Sequence, residues 1–418
     1  MQKNKSIQYS FRARNATILL QEDVSESQRI SRIFCRVITS HSRCSRNIIR
    51  KDQLQRPRTS AQARTSPMAH PAILLLALLL LLASPAISST KRTQQPKFPA
   101  IFYFGDSIFD TGNNNHIPTL GLANHPPYGR DFPGSRPTGR FSNGRLVPDL
   151  LNERLQLKEF APPFLDRSLS DKDIMTGVNF ASAGSGFDDR TSHLANTMPL
   201  SAQVDLFRDE YLPRLRSIAG DKEAARIIAS SLMFINAGTN DFTHYYRSSR
   251  RRLGIGEYQD TVLQLVRAHV KELYNLGGRQ FILAGLPPFG CIPLQITLSG
   301  DLERGCVDEQ NSEAQVYNSK LQKLIPTLQG SLRGSKIVYL NAYEALTVIL
   351  QGTNKYGFTE TTLGCCGTGL TEVGILCNRF TPICRNASSY VFYDAVHPTE
   401  RVYRIATDYI VKNVIPQF

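Results

Sequence analysis

The chain has 418 residues, of which 41% are hydrophobic, and it carries a formal net charge of +14. This length and composition suit a soluble globular protein with one large or two medium domains. The charge would favour a nucleic-acid partner, but it is concentrated in residues 1–67, which hold 14 Lys and Arg against 4 Asp and Glu. The remainder holds 35 basic and 31 acidic residues and is nearly neutral, so we expect no nucleic-acid partner.

The first part of the chain differs from the rest in composition. Residues 1–67 are rich in Arg, Ser and Gln, and we predict a disordered, non-native extension upstream of the true start at Met68. The apolar run 72–83 is shorter than the roughly 20 residues that span a membrane. Small residues follow it at Ser84, Ala86 and Ser88. We therefore predict a signal peptide over 68–88, and no stable membrane span after its cleavage. A basic transit peptide or a signal anchor is the alternative.

The cysteines agree with export from the cell. Six cysteines lie after the predicted signal peptide: Cys291, Cys306, Cys365, Cys366, Cys377 and Cys384. An even number in an exported chain predicts three disulfides, with 15 possible pairings. A zinc site is disfavoured, because the paired C-x₂-C spacing of structural zinc motifs is missing. The sequon at Asn386 predicts a glycosylated surface loop.

Apolar runs of strand type alternate with helical patterns along the rest of the chain. Strands are predicted over 99–104, 177–182, 232–238, 279–285 and 336–341. Helices are predicted over about 143–157 (or from a turn later, because of Pro148), 201–219, 222–231, 256–277, 307–332 and 398–412. The Cys- and Gly-rich segment 352–386 has no clear periodicity. The alternation predicts one domain over 97–418, a three-layer α/β/α sandwich with a central five-stranded parallel sheet.

Several apolar runs break into small or polar residues, and parallel sheets bind ligands at such strand ends. The first run ends in Ser107, the second in Gly184 and the third in Asn240. A further run leads to Asp394, three residues before His397, so the carboxylate can fold back onto one imidazole nitrogen. If these ends converge, Ser107, His397 and Asp394 form a catalytic triad. The N–H groups of Ser107 and Gly184 and the side-chain amide of Asn240 would then surround an oxyanion.

Simpler interpretations exist for each of these residues. Asp394 and His397 also fit the start of a helix, Gly184 fits an ordinary turn, and Asn240 fits a loop. The motifs of other enzyme classes are missing: the sequence has no G-x-S-x-G, no phosphate-binding P-loop, no H-E-x-x-H and no dinucleotide fingerprint.

Taken together, the blocks Gly105-Asp-Ser107, Gly184, Gly238-Thr-Asn240 and Asp394-Ala-Val-His397 resemble those of the SGNH hydrolases. The similarity is strongest to the plant-type GDSL esterase/lipase family, and it covers about residues 98–418. Secondary motifs also fit: Pro137-Thr-Gly-Arg-Phe-Ser-Asn-Gly144, Leu286-Pro-Pro-Phe-Gly-Cys291, Cys365-Cys-Gly367 and His397-Pro-Thr-Glu400. Ile108 departs from the name-giving Leu, and Thr239 stands where plant members often have Ser.

The resemblance implies a flavodoxin-like fold and a secreted serine esterase, extracellular in the apoplast or cell wall. It implies Ser107 as nucleophile, Asp394 and His397 as the rest of the triad, and Ser107, Gly184 and Asn240 as oxyanion donors. The expected substrate is a small-molecule, lipid or acylated-polysaccharide ester, and no metal or cofactor is expected. Acyl transfer to an alcohol is an alternative within catalysis. A non-catalytic binding or modifier protein is the alternative from another class.

Overall fold

The computed structural model describes residues 97–248 and 253–418. The predicted extension 1–67 and signal peptide 68–88 lie outside the described residues. The described residues belong to one compact unit. No helix in the described ranges is both long and apolar enough to cross a bilayer.

The main sheet has four parallel strands, which lie side by side in chain order. They are β1 (Ile101–Gly105), β2 (Leu232–Asn236), β3 (Gln280–Ala284) and β4 (Lys336–Leu340). Their first residues pair in register across the sheet, so all four carboxyl ends meet at one edge. A separate two-stranded parallel sheet is formed by β5 (Glu360–Gly364) and β6 (Tyr390–Phe392).

Helices fill the connections between these strands, and one more helix follows the last strand. They are α1 (Val147–Arg154), α2 (Asp171–Met175), α3 (Asp189–His193), α4 (Leu200–Leu206), α5 (Leu212–Ala219), α6 (Asp221–Ser230), α7 (Thr239–Arg247), α8 (Ile255–Asn275), α9 (Pro293–Ser299), α10 (Asp308–Ser331), α11 (Ala342–Gln351), α12 (Thr353–Tyr356) and α13 (Glu400–Asn413). Short 3₁₀ segments lie at Asn113–His116, Phe289–Cys291, Gly374–Leu376, Ala387–Ser389 and Ile415–Gln417.

The predicted α/β class is confirmed, but the described sheet has four strands rather than five. Residues 177–182 run parallel to β1 and make only isolated bridges, from Asn179 to Tyr103 of β1 and to Pro163. The ladder is interrupted because the amide N–H of Gly105 donates to the side chain of Gln203 at 2.8 Å instead of to this segment. If the segment is counted as an edge strand, the chain order becomes 2-1-3-4-5, that of flavodoxin-like sheets.

Both faces of the sheet are buried, which gives three layers. Alternate side chains of β1 point to opposite faces, as a strand requires: Phe102 and Phe104 join one apolar cluster, and Ile101 and Tyr103 join the other. The first cluster is covered mainly by α4 to α6, α8 and α10, and the second by α1 and α13, whose Val402 also joins the first. The continuous apolar character of the strands follows from this double burial.

Two predicted helices differ in detail. The pattern over 201–219 predicts a single helix, but α4 and α5 are joined by a π-helical turn, Phe207–Tyr211. Pro213 in the first turn of α5 has no N–H to donate, which explains the local change of hydrogen bonding. The last helix begins at Glu400 and not at Pro398, because Pro398 still pairs with Phe392 of β6.

Candidate active site

Ser107 follows the end of β1, in a turn that close packing fixes. Gly105 has a φ of 145°, and a Cβ there would lie 1.9 Å from the carbonyl oxygen of Asn236 on β2. Only glycine therefore permits this approach. The next residue, Asp106, donates its N–H to that same carbonyl at 3.2 Å. Ser107 is thus held at the carboxyl edge of the sheet, and only 7% of it is exposed.

A tight turn after β6 brings Asp394 and His397 together. One carboxylate oxygen, Oδ1, accepts the backbone N–H groups of Val396 at 2.8 Å and His397 at 2.7 Å. The imidazole Nδ1 lies 2.9 Å from Oδ1 and 2.8 Å from Oδ2. An ionised carboxylate only accepts hydrogen bonds, so Nδ1 carries the proton and Nε2 is left with its lone pair. The side chain of Asp394 is completely buried.

The two halves of the site meet although they lie far apart in the sequence. Nε2 of His397 lies 2.8 Å from Oγ of Ser107. The ring of Phe141 packs on the imidazole with 4.7 Å between centroids. The structure therefore joins the three predicted triad residues in one hydrogen-bonded chain from carboxylate to hydroxyl. Such a chain can move a proton from the serine to the imidazole.

Tyr128 is a member of this network that the sequence did not indicate. Its hydroxyl donates to Oδ2 of Asp394 at 2.6 Å and accepts the N–H of Gly374 at 2.8 Å. Burial, followed by the negative charge of Asp394, raises the pKa of Tyr128 well above its usual value, so the hydroxyl remains a donor. Sequence reasoning missed this residue, because its partner lies 266 positions away in the chain.

Two of the predicted oxyanion donors have free N–H groups. The backbone amides of Ser107 and Gly184 donate to no group in the described part of the chain. Gly184 has a φ of 89°, a conformation that favours glycine. Asn240, at the start of α7, directs one side-chain N–H to the carbonyl of Ser185 at 2.8 Å, which ties it to the loop that holds Gly184. Asn240 and Ser107 line the same cavity, whereas Gly184 is not part of its wall.

The loop that carries Gly184 is fastened by buried polar groups. Oδ2 of Asp110 accepts the N–H of Ala183 at 2.9 Å, and the side chain of Asn114 donates to the carbonyl of Ala183 at 3.0 Å. On the other side of the loop, Asp241 accepts the N–H groups of Phe187 at 2.8 Å and Asp188 at 3.0 Å. These contacts fix the backbone of the loop from both sides.

Asp106 is a buried carboxyl immediately before Ser107. Its Oδ1 accepts only the N–H of Ile108 at 3.1 Å and a long contact of 3.4 Å from the side chain of Asn236. Burial is the largest effect, and it raises the pKa of Asp106 to about 7, while the hydrogen bond from Ile108 and the proximity of His397 act in the opposite direction. The sequence did not single out this carboxyl.

The six cysteines after the predicted signal peptide form three disulfides: Cys291–Cys306, Cys365–Cys384 and Cys366–Cys377. This pairing is one of the 15 that the sequence left open. Asn386 is exposed next to the second bridge, at the start of a 3₁₀ segment. In residues 97–248 and 253–418, no three His, Cys, Asp or Glu side chains are arranged to hold a metal ion.

Comparison with known proteins gives a consistent result. The family described as GDSL-like Lipase/Acylhydrolase matches residues 101–410. The chain is 47% identical to GDSL esterase/lipase At1g58430 of Arabidopsis thaliana over 322 residues, which cover 76% of this chain and 89% of that protein. It is 45% identical to GDSL esterase/lipase At2g31540 of the same plant, over 78% of this chain and 91% of the relative. It is 46% identical to GDSL esterase/lipase At2g24560 of Arabidopsis thaliana, over 79% of this chain and 92% of that protein.

Proposed function

The chain belongs to the GDSL-like lipase/acylhydrolase family, and we propose that it is a secreted serine esterase that hydrolyses carboxylic esters through an acyl-enzyme on Ser107. The observation that carries this proposal is the hydrogen-bonded chain from Asp394 through His397 to Ser107, with 2.8 Å between Nε2 and Oγ. A serine hydroxyl at this distance from a neutral imidazole is an activated nucleophile.

The proposed reaction has two halves. Oγ of Ser107 attacks the ester carbonyl carbon while its proton passes to Nε2 of His397. The tetrahedral intermediate then collapses: its bond to the alkoxy oxygen breaks, and that oxygen takes the proton from Nε2 as the alcohol leaves. Water attacks the acyl-enzyme in the same way, with His397 as base, and releases the acid and free serine. Asp394 stays ionised and stabilises the imidazolium in both halves.

The negative charge of each intermediate lies on the former carbonyl oxygen. We assign its stabilisation to the N–H groups of Ser107 and Gly184 and to the side-chain amide of Asn240. The two backbone donors have no competing partner within the described residues, and the bond from Asn240 to Ser185 supports a fixed orientation for the third. Such preorganised donors need no rearrangement during the reaction, and each is typically worth a factor of about 10²–10³ in turnover.

Hydrolysis is favoured over the alternatives. The relatives are named esterase/lipase, which favours water over an alcohol as the acceptor of the acyl group. A non-catalytic binding protein is disfavoured, because each member of the triad is present and hydrogen-bonded.

Export from the cell is part of the proposal. It is supported by three disulfides in the described domain and by the exposed sequon at Asn386.

The test is hydrolysis of p-nitrophenyl acetate and butyrate by the purified mature protein and by Ser107→Ala. We expect the variant to lose more than about 10³-fold in kcat. Ser217→Ala is the matched control, since Ser217 is exposed on α5 and its side chain bonds only to the carbonyl of Arg214. Turnover by Ser107→Ala at the wild-type rate would refute the assignment. N-terminal sequencing of secreted protein tests the signal peptide predicted over 68–88, which a mature chain that retains residues from before Met68 would contradict.

A further inference from the structure

An apolar cavity of about 140 Å³ extends from Ser107 into the interior of the domain. Its mouth is formed by Ser107 and by the polar side chains of Asp106, Asn236, Thr239 and Asn240. Beyond the mouth it runs along one face of the sheet, past Phe234 of β2 and Leu340 of β4. The polar groups therefore lie at the reacting end, and the rest of the wall is largely apolar.

Helices α11 and α13 form the outer wall of this cavity. α11 contributes Ala345 and Ile349, and α13 contributes Ala406 and Ile410. The two alanines are half-buried and the two isoleucines are buried. Short side chains at positions 345 and 406 leave the space that larger residues would fill, so these two positions control the width of the cavity.

This distribution fits the acyl side of an ester. A carbonyl group attacked by Ser107 must lie at the polar mouth, and the apolar interior would take a chain attached to the carbonyl carbon. We propose that the cavity binds the acyl chain, and that the preferred substrates are esters of short apolar acids of about four to six carbons. The inference rests on the proposed esterase function and adds the substrate class.

The volume sets the upper limit on the chain. A cavity of about 150 Å³ accommodates a ligand of the size of benzene, which has six carbons. Each methylene that leaves water favours binding by about fourfold, so a butyryl ester gains about 15-fold over an acetyl ester in kcat/KM if both extra methylenes are buried. Chains that outgrow the cavity gain nothing further from its walls and must lie elsewhere.

The experiment measures kcat/KM for p-nitrophenyl esters from acetate to palmitate with the purified mature protein. We expect a maximum at butyrate or hexanoate and a fall of at least about tenfold by laurate. In Ala406→Phe the ratio of kcat/KM for butyrate to kcat/KM for acetate should fall by about tenfold. A wild-type maximum at laurate or longer would overturn the proposal, as would an unchanged ratio in the folded variant.

Ala345→Leu is the second variant, for the case in which Phe at position 406 prevents folding. It narrows the cavity from α11 and should lower the hexanoate-to-acetate ratio. Ala225→Leu is the matched control, since Ala225 is exposed on α6 and does not line the cavity.

The esterase function and the acyl-cavity proposal are contradicted by different results. If wild-type protein hydrolyses no ester of the series, the proposed function fails. If it hydrolyses them with a preference that neither wall variant alters, only the acyl-cavity proposal fails.

Discussion

Replacing Tyr128 by Phe removes one hydroxyl and tests whether the triad depends on a fourth side chain. The hydroxyl donates to Asp394 and accepts from Gly374, so its loss leaves one carboxylate hydrogen bond unmade and one buried N–H without a partner. A hydrogen bond to a charged group contributes about 1.5–3 kcal/mol, and we expect the free energy of unfolding to fall by about 2 kcal/mol.

The expected effect on catalysis is moderate. Asp394 keeps its bonds to the N–H groups of Val396 and His397 and to the imidazole, so it stays near its position. We expect kcat to fall by about tenfold with KM little changed, which corresponds to a loss of about 1.4 kcal/mol in transition-state stabilisation.

The assay is kcat and KM for p-nitrophenyl butyrate hydrolysis, together with thermal unfolding. Tyr211→Phe is the matched control, since the buried hydroxyl of Tyr211 donates to the carbonyl of Ile174 at 2.7 Å, in the apolar cluster that Phe102 and Phe104 of β1 join. It should lose stability without a change in kcat. If Tyr128→Phe behaves like this control, with kcat unchanged, the hydroxyl only holds the loop and the reasoning is refuted.

Three further predictions concern single side chains. The pKa of Asp106 is about 7 in the folded protein and about 3.9 in the unfolded chain, so its contribution to stability is present below pH 4 and is lost as pH rises to 7. Asp106→Asn should therefore flatten the fall in melting temperature between pH 4 and 7, and an unchanged slope would contradict the raised pKa. Tyr403→Phe should raise the free energy of unfolding by about 1 kcal/mol, because the buried hydroxyl of Tyr403 has no hydrogen-bond partner among the described residues. A lower melting temperature in thermal unfolding would show that the hydroxyl has a partner. Asn240→Ala should lower kcat for p-nitrophenyl acetate about 10²-fold with KM little changed, and an unaltered kcat would exclude it from the oxyanion site.

Local patterns were enough to predict most of the fold. The apolar run 232–238 predicts β2, and the amphipathic pattern over 256–277 predicts α8, which spans Ile255–Asn275. Each of these signals lies within one stretch of chain. The contact between Asp394 and His397 could also be predicted from one stretch of chain, because the two residues are only three positions apart and the carboxylate can reach the imidazole.

What the sequence could not indicate depends on contacts between distant residues. Gln203 occupies a hydrogen-bonding position at the end of β1 from 98 residues away, and thereby keeps the segment 177–182 from forming a full strand. Tyr128 reaches Asp394 across 266 residues, and its motif looks like any turn. The disulfide pairing is likewise a property of the folded segment, since spacing alone allowed every combination. The helix α7 was not predicted, because its polar start, which contains Asn240, also suits a loop.

The bridge between Cys366 and Cys377 encloses a loop that contains Gly374, whose amide holds the hydroxyl of Tyr128. We therefore expect the thiol redox state of this segment to affect the surroundings of Asp394. Protein made in a reducing cytosol would lack the covalent closure of the loop behind Asp394. For preparative work, we expect an oxidising folding compartment to raise activity as well as yield.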